Sequence, residues 1–323
     1  MFFQKAKEGN NHWAMYVSMV LIVILATFIG QLPLGAVVAY KQFQGNFSAE
    51  DLAAFQSTMD LSVLDIDKNL GLLLMLVPFA LALLAMYFFT PVLLRRPFRS
   101  LITPNSQIAW RKMGFAFLLW FAVLAASELI GYLIAPTNYE LIFDAQKFLG
   151  MLLVAVPLIP LQAALEEVFF RGFLMQGLGL AAKNRWFPFV VTSLLFGLMH
   201  FANPEVSKFG LANMMVYYVS MGLLLGALAL LDGGLELPLG VHIANNFYGA
   251  TITTFSGSAL QTNAIFRIHE IDIQWMLPVS LAVSLLVLFV LVKKYGINDW
   301  SRLYGPINFD KQETDPLDAL VEK

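Results

Sequence analysis

Between residues 148 and 182 the chain stays apolar for about 35 residues, well beyond the roughly 20 that cross a hydrocarbon core, yet Glu166, Glu167 and Arg171 are set inside it. Each such charge costs about 2.5–3.5 kcal/mol at a bilayer centre on insertion scales. A chain that carries three of them so close together has to neutralise them in its own interior. Intramembrane ionisable clusters mark functional sites by default. This stretch therefore constrains both the fold and the chemistry.

The rest of the sequence agrees with a bilayer setting. It is 59% hydrophobic and only 13% charged, whereas soluble domains carry about 25% charged residues. The fold class expected is all-α, a polytopic integral membrane protein with about eight transmembrane helices. The expected spans are 14–40, 71–94, 113–135, 148–182, 187–202, 212–231, 237–255 and 274–292. The first is too long for the core of a signal peptide and reads as an uncleaved span. Breaks are expected at Gly30-Gln31-Leu32-Pro33, near Pro91, and at Pro157 and Pro160. The organisation expected is an N-terminal membrane region of two spans and a basic loop (1–110), a core (111–297) and a polar, loosely ordered tail (298–323).

Charge orients the spans. Basic residues gather in the N-terminus, 95–112, 183–186 and 293–294, all on one side of an eight-span chain. The acidic segments 41–70 and 136–146 fall on the other. The positive-inside rule puts the N- and C-termini in the cytoplasm. The composition and compact loops suggest a bacterial plasma membrane. A net charge of −2 gives no reason to expect nucleic acid, and the absence of cysteine excludes disulfides, thiolate metal sites and a Cys nucleophile.

On a helix Glu167 and Arg171 share a face and can pair. Glu166 points about 100° away, toward the face of Gln162 and Phe170. It has no cation on its own helix, which suits a proton acceptor or donor. His200 lies one turn after Phe196 at the end of the fifth span. His242 and Asn246 are co-facial in the seventh, with Asn245 beside them. Each group also has a plainer reading: a structural ion pair with a wet acid, an interfacial histidine, and polar glue between helices. Together they make a set that can activate water and stabilise an oxyanion, or ligate a divalent metal. No HExxH or GxSxG motif is present. Glu128 reads as a cavity-lining or hydrogen-bonded acid, Gly222 and Gly226 as a close-packing pair, and His12 as an interface anchor.

The three motifs EExxxR (Glu166, Glu167, Arg171), FxxxH (Phe196, His200) and HxxxN (His242, Asn246) occur in order within 145–255. In this the chain resembles the CPBP family of intramembrane proteases, which includes the type II CAAX prenyl endopeptidases and the Abi-type and bacteriocin-immunity proteins. The resemblance implies that Glu166 and His200 activate the attacking water. It also implies that His242 and Asn246 stabilise the oxyanion, and that Glu167 and Arg171 orient the site. Phe170 and Phe196 are expected against the substrate. A metal such as zinc, if used, would take Glu166, His200 and His242, although Asn246 is a poor zinc ligand and favours metal-free water activation. The function expected is endopeptidase action on a membrane-embedded or lipidated, CAAX-like peptide. The alternatives are a non-catalytic membrane immunity or binding protein and, less favoured for want of an internal repeat, a proton-coupled transporter using Glu166 and His200.

Overall fold

The structure is a computed structural model and describes residues 2–309. A short helix α1 (Phe2–Lys7) precedes the long helix α2 (Trp13–Phe43), whose N-cap is His12. Helices α3 (Ala49–Thr58), α4 (Lys68–Leu93) and α5 (Trp110–Ile134) follow. Strand β1 (Tyr139–Leu141) leads into α6 (Ala145–Glu167), which passes through a π-helical segment (Val168–Leu174) into α7 (Met175–Ala182). Then come α8 (Trp186–Met199), α9 (Pro204–Phe209), α10 (Leu211–Asp232), α11 (Glu236–Thr251), β2 (Thr253–Phe255), β3 (Phe266–Ile268) and α12 (Ile273–Lys294).

Among the described residues six helices are long and apolar enough to cross a membrane, with α6 to α7 counted as one of 38 residues. Two of the expected spans are shorter: α8 has 14 residues and α11 has 16. The fold is thus predominantly α-helical and polytopic. The proline breaks did not form as expected. Pro33, Pro91, Pro157 and Pro160 all lie inside continuous helices. In hydrocarbon no water competes for the backbone, so leaving the helix strands more polar groups than the proline does. The interruption in the long run comes after the acids instead, where the Met175 N–H bonds the Phe170 carbonyl five residues back.

Helix α10 is the central element, with 67% of its apolar window buried. It is central because glycines let α8 come close. A Cβ at Gly222 would lie 2.7 Å from the Ser193 carbonyl oxygen, and one at Gly226 3.0 Å from the Phe189 ring. Gly197 does the same from α8, facing Val219. Helix α11 packs between α5 and α6, with Gly240 against the Met113 carbonyl. Helices α2 and α4 join through α4 onto α6.

A three-stranded sheet caps the end of the bundle where α5 and α11 finish and α6 and α12 begin. β1 is antiparallel to β3 (Glu140 opposite Arg267), and β2 is parallel to β3. The loop after β2 ties three elements together. Ala259 N–H donates to Glu205 Oε1 (2.7 Å), Gln261 to the Thr58 carbonyl (3.0 Å) and Asn263 to Asn69 Oδ1 (2.8 Å). The start of the polar tail is docked rather than loose. Ile307 is buried and its N–H bonds the Lys183 carbonyl (3.0 Å), while Arg302 Nη1 bonds the Leu231 carbonyl (3.0 Å). The remainder of that tail, 310–323, lies outside the described residues.

Candidate active site

The two adjacent acids meet different surroundings. Glu167 is fully buried. Its Oε1 accepts from Arg171 Nη1 at 2.8 Å and from His242 Nδ1 at 2.7 Å. Arg171, equally buried, also donates from Nη2 to the Gly222 carbonyl (3.0 Å), and its guanidinium lies 4.5 Å over the Phe196 ring. The pairing expected from the i, i+4 spacing is therefore present. It draws in three further helices: α8 through Phe196, α10 through Gly222 and α11 through His242. Opposite charges at this distance in a low-dielectric interior offset much of one another's desolvation, while Glu167 Oε2 and Arg171 Nε remain buried without a hydrogen-bond partner. Gly222 serves twice, since its missing Cβ admits α8 and its carbonyl receives the guanidinium.

Glu166 keeps 13% of its side chain accessible, against 0% for Glu167. Its Oε2 lies 3.6 Å from His242 Nε2 and has no hydrogen-bond partner. Because His242 Nδ1 is committed to Glu167, Nε2 is the ring atom left for chemistry on the Glu166 side. Glu166 Oε1 accepts from Gln162 Nε2. Behind Gln162 runs a relay of amides: Asn246 Nδ2 donates to Gln162 Oε1 (2.7 Å), Asn245 Nδ2 to Asn246 Oδ1 (3.1 Å), and Trp120 Nε1 to Asn245 Oδ1 (3.3 Å).

His200 ends α8, where its Nδ1 bonds the Phe196 carbonyl at 2.7 Å. That bond leaves Nε2 as the free, basic nitrogen. The ring stacks on Tyr218, with centroids 4.5 Å apart, and lies 4.8 Å from Phe196, which also lies 5.8 Å from His242. Phe196 thus stands between the two histidines, and no direct contact joins His200 to Glu166. Phe170 and Phe196 are 6% and 3% exposed. Their rings pack edge to face on one another and against the Arg171 guanidinium, so here they cushion the buried charge rather than offer an open binding face.

Among the described residues no three His, Asp or Glu side chains form a group spaced to hold a metal ion. Glu166 Oε2 and His242 Nε2 make a pair of donors, and His200 is not part of it. Outside the motifs, Glu128 accepts from the Tyr139 hydroxyl (2.6 Å).

The sequence pattern gave little warning of Glu205. It directly follows the Asn203-Pro204 pair that ends the fifth span, 9% exposed, with Oε2 unpartnered. Burial pushes its carboxyl above the usual range, against the pull of the Ala259 N–H and the His200 ring. An acid directly after a helix-stopping proline was the available signal. Trp120 was equally unmarked, because its role depends on Asn245, which is remote in sequence.

Fold and site together define a polytopic helical membrane protein with a carboxylate, histidine and amide centre sunk within the bundle. A family model described as type II CAAX prenyl endopeptidase Rce1-like matches residues 145–248. The chain is also similar to an uncharacterized protein of Bacillus subtilis (strain 168), YyaK. The two are 30% identical over 285 residues, which is 88% of this chain and 92% of that protein. No solved structure matches. The chain belongs to the CPBP family of CAAX-protease-like intramembrane proteins.

Proposed function

We propose that this chain is an intramembrane endopeptidase that hydrolyses a peptide bond of a membrane-embedded or lipidated, CAAX-like substrate. The observation that carries the reading is the split between the two acids. One is buried and neutralised by Arg171, and its neighbour, with 13% of its side chain exposed, has no arginine and turns a buried, unpartnered Oε2 toward the free Nε2 of His242. Such a split gives one carboxylate a structural task and leaves the other to move protons.

In this reading Glu166, with His200, takes a proton from water as the water oxygen bonds to the scissile carbonyl carbon. The carbonyl electrons move onto oxygen, where Asn246 Nδ2 and a protonated His242 Nε2 donate to the oxyanion. The tetrahedral species collapses and the C–N bond breaks. The proton held by Glu166 passes to the leaving nitrogen, giving a carboxylic acid and an amine, between which the remaining hydroxyl proton redistributes. No acyl-enzyme forms. Glu167 and Arg171 hold the His242 ring in place. The positive-inside pattern supports cytoplasmic termini, and a bacterial plasma membrane is the setting we propose. If a divalent ion such as zinc is bound, Glu166 and His242 are the two donors already side by side to hold it, and His200, the third residue expected, stands apart from that pair.

The test compares purified wild type with Glu166→Gln on quenched peptides, some prenylated at a CAAX-like cysteine and some bare transmembrane segments, with and without a chelator. Mass spectrometry reads the products. The variant should lose at least about 100-fold in rate with its melting transition intact. Equal rates from both proteins would remove Glu166 from the chemistry.

A further inference from the structure

Gln162 lies one turn before Glu166 and touches both ends of the reaction centre. Its carboxamide nitrogen donates to Glu166 Oε1, and its carboxamide oxygen accepts from Asn246 Nδ2 at 2.7 Å. The direction of these bonds is not free. The Trp120 indole only donates and an ionised Glu166 only accepts. Every amide between them, Asn245, Asn246 and Gln162, must therefore present its oxygen toward Trp120 and its nitrogen toward Glu166. Asn246 is left offering an N–H, and a peptide-like carbonyl oxygen already sits on it.

A scissile amide needs the same two partners. Its carbonyl oxygen requires an N–H donor, and its nitrogen must lie near the carboxyl that returns the proton. The Gln162 side chain meets both requirements with its own amide, only 7% exposed. Resting on the hydrolase reading above, we propose that the Gln162 carboxamide occupies the seat of the scissile amide in the free protein, and that substrate enters by displacing it. The seat is then defined as the space between Asn246 Nδ2 and Glu166. It accepts a secondary amide, and each turnover begins by swinging one glutamine aside.

Displacement weakens the free protein's grip on substrate and leaves the bound complex unchanged. Removing the place-holder should therefore lower KM and spare kcat. Gln162→Met keeps the length and much of the volume of the side chain without its amide. It should lower KM by about 5- to 100-fold, the net worth of the two hydrogen bonds that displacement breaks, with kcat within about twofold of wild type. Gln162→Leu should shift KM the same way. The assay uses a peptide that wild type cleaves, with Glu166→Gln as the inert control and melting curves for every variant.

An unchanged or raised KM, or a fall in kcat, in variants that melt like wild type overturns this proposal while leaving the hydrolase reading in place. Failure of both variants to fold also overturns it, since Gln162 is then a strut. A wild type inert toward the whole peptide panel overturns the hydrolase reading and this proposal together.

Discussion

Among the described residues, two clusters each join a Glu, an Arg and a His. In one, Glu167 meets Arg171 at 2.8 Å and His242 at 2.7 Å, with every side chain at most 5% exposed. In the other, on the capping sheet, Glu140 meets Arg267 at 2.9 Å and His269 at 4.0 Å, with side chains 42–51% exposed. The arginine distances are nearly equal and the residue types are the same. What separates the clusters is the medium. Water screens the outer one and competes for its hydrogen bonds, so its net worth is small. In the inner one a lost partner leaves a bare charge with no solvent to receive it. Distance alone says little about what an ion pair does, and burial decides.

That contrast can be attacked directly. The largest effect expected is from Arg171→Met, which strands the Glu167 carboxylate and should destabilise the protein by about 3–5 kcal/mol. Unfolding in detergent measures it, and a loss below about 1 kcal/mol would make the two clusters equivalent. Glu205 supplies a third case, burial without an arginine beside it. Its carboxyl is held above the ordinary range by desolvation, so the folded state binds that proton more tightly than the unfolded chain does. The associated stability is complete below the unfolded value of about 4.3 and is lost as pH rises through the folded one. Glu205→Gln does not titrate and still accepts from Ala259. It should melt above wild type at pH 8, with the gap closing as pH falls to about 4. A gap that is constant with pH would remove titration as its cause. The smallest effect is expected from Arg267→Met, at about 0–1 kcal/mol, shrinking further in 1 M salt.

Those features that obey local spacing were readable from the chain. The spans follow from hydrocarbon thickness, and the Glu167–Arg171 pair follows from its four-residue separation. Gly222 and Gly226 announced the close approach of α8. Features that depend on distant partners were not readable. Pro157 and Pro160 looked like a break because proline rules are written for water, and the helix runs through them in a medium that penalises leaving it. Strands of three residues carry no usable alternation, so Arg267 gave no sign that it pairs with Glu140. Gln162 was visible only as a neighbour of Glu166 on a wheel. Its second partner, Asn246, is 84 residues away. The first residues of the tail looked disordered by composition, and only Ile307 and its bond to Lys183 show the dock.

The π-helical segment at Val168–Leu174 has a consequence for rotational phase. An i→i+5 turn holds one residue more than an α turn, and one residue is about 100° of helix rotation. Up to the segment, α6 turns Gln162 and Glu167 toward α11. Beyond it, α7 turns Gln176 toward Arg96 and Ser100 and Gly179 toward Phe3. A single apolar run thereby keeps two clocks. Deleting one residue from 168–174 would restore α geometry and set both halves to one clock. Gln176 and Gly179 would then point about 100° off their partners while the acids stayed in place.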